Sequence, residues 1–267
     1  MKKRAVVLLL VALFLMLPLV LAAEGLTDEQ KVDKAYQCLD DKVEGNCDSL
    51  TTEEKIFTLL AAGQCRSELI EDSSNDGECW PSSSCNVKTT AQAVLALNNN
   101  GANVDKATNW LISKNLTSTD ITWYLEIDAI NASSCVIQYS GLSYNVNILE
   151  NKKITKNAGN CLSLAQDNYW LRIAPSCYNR EFEISCDKTF LTTLLFQSTG
   201  SSTVHVTEET SSASAGGSTF EQVNSFCFGT STCDYEGSLW AALVLDSLGE
   251  EVSSFIPYLI TKASDNQ

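Results

Sequence analysis

The residues best suited to bind an ion lie in an acidic stretch, where Asp72, Ser74 and Asp76 alternate along the chain and Gly77 follows. Oxygen-bearing side chains at alternate positions before a glycine are typical of the start of a calcium-binding loop. Such a loop needs a glutamate at its twelfth position, and Ser83 stands there instead. Two interpretations follow: a calcium site at the three side chains, or an acidic turn shaped by nearby cysteines. We favour the turn. We expect no other cofactor.

Two other sets of residues have the side-chain types of acid-base or metal chemistry. Four pairs of adjacent acids could supply the two carboxylates of a glycoside hydrolase, but sequence neighbours point in different directions on a helix or a strand, so we interpret them as solvated charges. The single histidine, His205, alternates with Val204 and Val206, which is typical of an outward strand residue. We therefore predict no catalytic residues. The acid pairs are Asp40–Asp41, Glu53–Glu54, Glu208–Glu209 and Glu250–Glu251.

The first residues predict export from the cell. A basic start, an apolar run and the small residues Ala22 and Ala23 form the three zones of a secretory signal peptide. We assign residues 1–23 to a signal peptide cleaved after one of these alanines, and a retained membrane anchor is the alternative. No second apolar stretch of that length follows. We therefore expect a secreted protein or one on the exterior of the cell envelope, with no membrane span after cleavage.

The charge of the chain narrows the range of partners. Cleavage removes three of the 18 basic residues and leaves 15 against 33 acidic ones, so the net charge falls from −15 to about −18. Such a charge repels phosphate groups and anionic lipids. We expect no nucleic-acid partner. We expect the partner to be an extracellular protein or a glycan. Asn115 and Asn131 begin glycosylation sequons, which suits an extracellular glycoprotein.

Eleven cysteines in an exported chain predict disulfide bonds, since oxidising compartments let them persist. A metal cluster is the alternative, but its C-x2-C and cysteine–histidine spacings are absent. The repeat described next suggests a pairing, although sequence alone leaves the connectivity open. The expected bonds are Cys38–Cys47, Cys79–Cys85, Cys135–Cys161, Cys177–Cys186 and Cys227–Cys233, with Cys65 either free or bonded to another chain.

A segment of 37 residues occurs twice, once from Cys79 to Asn115 and again 148 residues later, with 11 identical positions. Most identities are packing or turn positions, such as the glycine at position 101 and its counterpart at 249. Each copy reads as a buried helix, a glycine turn and a helix with one apolar face. A shorter third copy begins at Cys47, so the sequence predicts three related helical hairpins.

Between the two full copies, the spacing at which apolar residues recur changes from 3.6 residues, typical of a helix, to 2 residues, typical of a strand. Ile121, Trp123, Leu125 and Ile127 alternate with polar or aromatic residues, and four later segments repeat the pattern. This predicts an antiparallel β-sandwich or small barrel inserted between the helical units. Residues 208–219 are rich in Ser, Thr and Gly and predict a flexible linker.

The order of the motifs in the first copy resembles a known repeat. Asp76-Gly77 before Trp80-Pro81, a buried helix rich in threonine and alanine, Gly101 and then Trp110-Leu111 resemble the repeat of the α/α-toroid superfamily, which includes terpenoid cyclases, prenyltransferase β subunits and thioester domains. The resemblance implies an incomplete ring of helical hairpins. It implies no activity, because the Asp-x-Asp-Asp, zinc-ligand and thioester motifs are absent.

The predicted fold is therefore α+β, with toroid-like helical hairpins and an inserted β-sandwich-like domain. The predicted function is that of a secreted, disulfide-stabilised, non-catalytic interaction protein. The alternative is a fragment of a toroid-type enzyme or ligand carrier that lacks identifiable catalytic residues. The predicted units are residues 1–23 as signal peptide, 24–118 as hairpins one and two, 119–207 as the β domain, 208–219 as the linker and 220–267 as hairpin three.

Overall fold

The computed structural model describes residues 26–265, and the predicted signal peptide lies outside the described residues. The described residues form a mixed α+β fold of seven α-helices and eleven strands in three antiparallel sheets. Helices lie at both ends of this region, and the strands lie mainly between them. The helices are α1 (Asp28–Val43), α2 (Thr52–Ala62), α3 (Arg66–Glu71), α4 (Val87–Asn99), α5 (Asp105–Ser113), α6 (Tyr235–Ser247) and α7 (Ile256–Asp265).

Two larger sheets pack face to face as a sandwich. One has the strand order β5-β6-β2-β8-β9 and the other β10-β7-β3-β4, and side chains from both form a single buried cluster. Alternation of side chains places apolar residues of each strand between the sheets. The strands are β1 (Asn115–Thr117), β2 (Ile121–Ala129), β3 (Ser133–Tyr139), β4 (Leu142–Ile148), β5 (Leu162–Ala165), β6 (Trp170–Ile173), β7 (Glu181–Cys186), β8 (Phe190–Ser198), β9 (His205–Ala213), β10 (Ser218–Gln222) and β11 (Phe226–Phe228).

The sequence repeat is also a repeat of hydrogen bonds. The backbone N–H of Trp80 donates to the hydroxyl of Thr90 over 3.0 Å, and 148 residues later the N–H of Phe228 donates to Ser238 over 2.8 Å. The glycine turns agree as well, since both turn glycines have positive φ, 70° and 86°. The two helical copies therefore share these local features, and α4, α5 and α6 belong to a second buried cluster.

The strands β1 and β11 join the end of the first helical copy to the start of the second. Asn115 pairs with Phe228 and Thr117 with Phe226 in a short antiparallel ladder. The ladder continues on both sides, where the N–H of Ser118 donates to the carbonyl of Ser225 over 3.0 Å and the N–H of Gly229 donates to the carbonyl of Lys114 over 3.1 Å. The chain therefore leaves the first copy and returns to the second at one place.

The α/α-toroid fold that the sequence resemblance implies is wrong. Strands outnumber helices in the described residues, and they build two packed sheets with a core of their own. A ring of helical hairpins has no place for such sheets. The duplicated segment has the helix–turn–helix composition that suggested the toroid, but this composition follows from local packing and capping, which many folds share.

The predicted linker is also wrong. Residues 208–213 belong to β9, and residues 218–219 begin β10, so only a turn of four residues lies between the strands. β9 is an edge strand that pairs on one side with β8, and most of its side chains are exposed or half-buried. Serine and threonine are compatible with such an edge. Residues 220–267 accordingly begin with strand rather than with helix.

The disulfide bonds differ in part from those expected. Two of them, Cys79–Cys85 and Cys227–Cys233, join the pairs that the repeat predicts. Cys38 is exposed on α1 and unpaired, and Cys47 instead bonds Cys65 at the start of α3. In the sandwich, the register of β3 and β7 places Cys135 opposite Cys186. The remaining bonds are Cys135–Cys186 and Cys161–Cys177, in place of Cys135–Cys161 and Cys177–Cys186.

Candidate binding surface

The outward side of the four-stranded sheet is the clearest candidate for a binding surface, and we call it the outer sheet face. Its central row crosses all four strands, because Phe220 is paired with Glu183, Glu183 with Gln138, and Gln138 with Ser143. Four strands spaced by about 4.8 Å make this row about 14 Å wide. Phe220 is 54% exposed, so an aromatic ring lies at one end of a row of polar side chains.

A second row runs parallel to the first. Ser218, Ser185, Val136 and Asn145 are paired in the same order across the strands. The two rows are connected, because the hydroxyl of Ser218 donates to Oε1 of Glu183 over 2.7 Å. Amide, carboxylate and hydroxyl groups together offer both donors and acceptors. The face can therefore form many hydrogen bonds with a flat polar ligand.

The inward side of the same sheet holds this face rigid. Cys135 and Cys186 are opposite one another on β3 and β7, and the disulfide joins them beneath the outer sheet face. Ile137, Phe182 and Ile184 are fully buried in the sandwich core. A preorganised surface loses less conformational entropy when it binds a ligand.

A shallow depression of about 420 Å³ lies at one end of the outer sheet face. Gln138, Glu181 and Glu183 line it together with Ser140 and Arg180. The guanidinium of Arg180 donates a hydrogen bond to Oγ of Ser140. This bond connects Arg180 to the turn between β3 and β4. At this end, the guanidinium of Arg180 lies beside the carboxylates of Glu181 and Glu183. The site therefore has mixed charge and is not an anion site.

One buried carboxyl lies on the inward side of β10. Oε1 of Glu221 accepts a hydrogen bond from Thr192 on β8 over 2.6 Å, and this bond connects the two sheets. Burial raises the pKa of Glu221, and the nearby Glu209 raises it further, while hydrogen bonds from Thr192 and Ser211 lower it. The acid is therefore easier to protonate in the folded chain than in the unfolded one.

Glu221 makes the stability of the sandwich depend on pH. Because its pKa is raised on folding, its stabilising contribution is complete below the unfolded value of 4.5 and is lost as pH rises through the folded value. We expect Glu221→Gln, which keeps an acceptor for Thr192, to raise the melting temperature at pH 7 and to change it little at pH 4. Thermal melts across this range measure the effect. The exposed Glu208→Gln is the control, because Glu208 does not contribute to the raised pKa of Glu221, and a larger change in that variant would contradict the assignment.

The predicted calcium residues have other partners. Oδ1 of Asp72 accepts from the ammonium of Lys55 and Oδ2 from the hydroxyl of Thr52, both over 2.9 Å. The carbonyls of Asn75 and Asp76 each accept from the ammonium of a lysine, Lys106, over 3.4 Å. Within residues 26–265, no three or more Cys, His, Asp or Glu side chains meet in a group that could hold a metal ion. Calcium binding at Asp72, Ser74 and Asp76 stays a prediction.

The remaining predicted residues are dispersed over the molecule. Asn115 and Asn131 are both exposed, the first in β1 and the second in the turn between β2 and β3. His205 is half-buried in β9, and its ring stacks on Phe196 with centroids 5.2 Å apart. Neither asparagine lies in the paired rows of the outer sheet face, so a glycan at either position would leave those rows open.

The outer sheet face cannot be predicted from the sequence alone. The alternation of Ser134, Val136 and Gln138 with buried residues does predict which side chains of β3 point outward. The neighbours of these residues depend on pairing with β7 and β10, which lie far along the chain. Periodicity in a single sequence contains no information on that register.

The comparisons with known proteins returned no match to a family model, a curated protein or a solved structure. The class that the structure itself defines is a disulfide-bonded α+β protein with antiparallel sheets. None of the helices in the part of the chain that the structure describes is long and apolar enough to span a bilayer.

Proposed function

We propose that the protein is a secreted, non-catalytic binding protein of the cell exterior, and that the outer sheet face binds a neutral glycan. The central row from Phe220 to Ser143 is the observation that supports this most directly. An exposed aromatic ring can pack on the apolar face of a sugar ring, and the amide and carboxylate groups beside it can bond the hydroxyls. The five disulfides are typical of an oxidising, extracellular environment.

The charge supports a neutral ligand over an acidic one. Glu181 and Glu183 line the depression, and the sequence as a whole has a net charge of −15. Anionic polysaccharides would be repelled by this field. Neutral sugars carry no charge and can use the same carboxylates as hydrogen-bond acceptors.

The test is binding of the purified protein to neutral and anionic oligosaccharides on an array, followed by calorimetry with the best ligand. We expect binding to neutral glycans, and a loss of affinity of about tenfold in Phe220→Ala, which corresponds to about 1.4 kcal/mol. Phe57→Ala is the matched control, since Phe57 is 48% exposed but lies on α2. A folded protein that binds no neutral glycan, or equal losses in the two variants, would contradict the proposal.

A further inference from the structure

The depression at the end of the outer sheet face has side chains that fit one chemical group of a glycan. Its volume is about 420 Å³, near the lower end of the range of about 300 to 1,000 Å³ for small-molecule sites. Glu183 lines it and is also paired with Phe220 in the central row. Because neighbouring strands lie about 4.8 Å apart, a sugar ring that packs on Phe220 reaches the depression with one of its substituents.

Arg180 is held in place at both its backbone and its side chain. Its backbone N–H donates to the carbonyl of Cys177 over 3.2 Å, and Cys177 is bonded to Cys161. Its guanidinium donates to Oγ of Ser140. Ser140 and Gly141 form the β3–β4 turn, with φ of 50° and 74°. A guanidinium has several N–H donors, so those that do not bond Ser140 remain available to a ligand.

Two carboxylates line the same depression and have unused acceptor oxygens. Glu181 and Glu183 are two residues apart on β7, so both point to the outer side of the sheet. Glu183 accepts one hydrogen bond, from Ser218 to Oε1, which leaves Oε2 available. Within residues 26–265, Glu181 has no hydrogen bond and no ion pair. The depression therefore offers a positioned cationic donor next to two anionic acceptors.

This combination of charges favours an uncharged group that has both a donor and an acceptor. A carboxylate on the ligand would lie against Glu181 and Glu183, and an ammonium would lie against Arg180. An amide is neutral, its carbonyl accepts from a guanidinium, and its N–H donates to a carboxylate. Each of these bonds involves a charged group of the protein, which makes it stronger than a bond between two neutral groups. In a neutral glycan, such an amide is the acetamido group of an N-acetylated sugar.

We propose that Arg180 selects N-acetylated sugars, with the acetamido carbonyl bound by its guanidinium and the acetamido N–H bound by Glu181 or Glu183. Selection of this kind rests on the proposed binding of neutral glycans by the outer sheet face and defines the class of sugar bound there. Phe220 binds the sugar ring, whereas Arg180 distinguishes the substituent. A sugar with a hydroxyl in place of the acetamido group keeps the contact with Phe220 and loses the amide bonds.

The experiment uses calorimetry on the purified protein with neutral oligosaccharides that differ only in the acetamido group. Tetramers of N-acetylglucosamine and of glucose with the same linkage are one pair, and N-acetylgalactosamine and galactose oligomers are a second. We expect the acetylated member to bind about tenfold more tightly. Arg180→Met should remove most of this preference and leave the affinity for the other member almost unchanged. Arg172→Met is the control, because Arg172 is an exposed arginine of β6 in the other sheet, and it should keep the preference.

The outcomes distinguish selection by Arg180 from glycan binding itself. Equal affinities within each pair, or a preference that survives Arg180→Met, would overturn the selection and leave the proposed function intact. Stronger binding of a glucosamine tetramer, which is deacetylated and positively charged, would also overturn it, because it would assign the depression to a cation. Absence of binding to any neutral oligosaccharide would contradict the proposed function as well. Circular dichroism shows that each variant is folded before binding is measured.

Discussion

Removal of the Cys135–Cys186 bond by substitution of both cysteines with alanine is expected to lower the free energy of unfolding by about 4 kcal/mol. The bond closes a segment of 51 residues, so it restricts the unfolded chain more than any other bond in the protein. It also joins β3 to β7 directly beneath the outer sheet face. Denaturant unfolding of the oxidised protein, followed by fluorescence and circular dichroism, measures the loss.

The matched control is the double alanine variant of Cys79 and Cys85, whose bond closes only six residues. Loop-closure entropy gives about 2 kcal/mol for a loop of that size. The ratio between the two losses in free energy of unfolding therefore tests whether restriction of the unfolded chain determines the contribution of each bond. Equal losses would show that local packing around each bond, and not restriction of the unfolded chain, determines its contribution.

The second large effect is expected at the buried ion pair between Lys55 and Asp72. The side chain of Lys55 is only 7% exposed, and its ammonium lies 2.9 Å from Oδ1 of Asp72. Asp72→Ala leaves this charge buried without its partner, so we expect a loss of about 3 kcal/mol. Lys55→Met should cost less, because Asp72 is 25% exposed and can be hydrated when its partner is removed.

Chemical unfolding of the two single variants and of the double variant Lys55→Met with Asp72→Ala separates these contributions. The double variant should be more stable than Asp72→Ala alone, since it contains no buried charge. Asp28→Ala provides the control, because its pair with Lys31 is exposed and contributes less than about 1 kcal/mol. A loss in Asp72→Ala no larger than in the control would show that water reaches Lys55.

The predictable parts of the fold are those that local sequence determines. Capping boxes form at Thr27 and Thr51, where a Gln or Glu follows three residues later, and both turn glycines of the repeat have positive φ. These features depend on contacts within a few residues. The bonds at Cys79–Cys85 and Cys227–Cys233 are equally local.

The parts that sequence reasoning missed depend on distant contacts. β2 is paired with β8, about 70 residues later, and this pairing determines which residues of the two strands are neighbours. β9 has a polar composition because it is an edge strand, so its sequence resembles a linker until its partner β8 is known. The pairing of Cys135 with Cys186 follows from the register of β3 and β7 in the same way. The outer sheet face is a product of that register and could not be predicted from one sequence.

The short ladder between β1 and β11 makes the sandwich an insertion whose two ends are adjacent. Its two connections to the helical part run side by side, with Leu116 paired to Cys227. A module attached through adjacent strands can vary in size or sequence without a change in the distance between the helices that flank it. The helical repeat can therefore accommodate changes in the inserted sandwich.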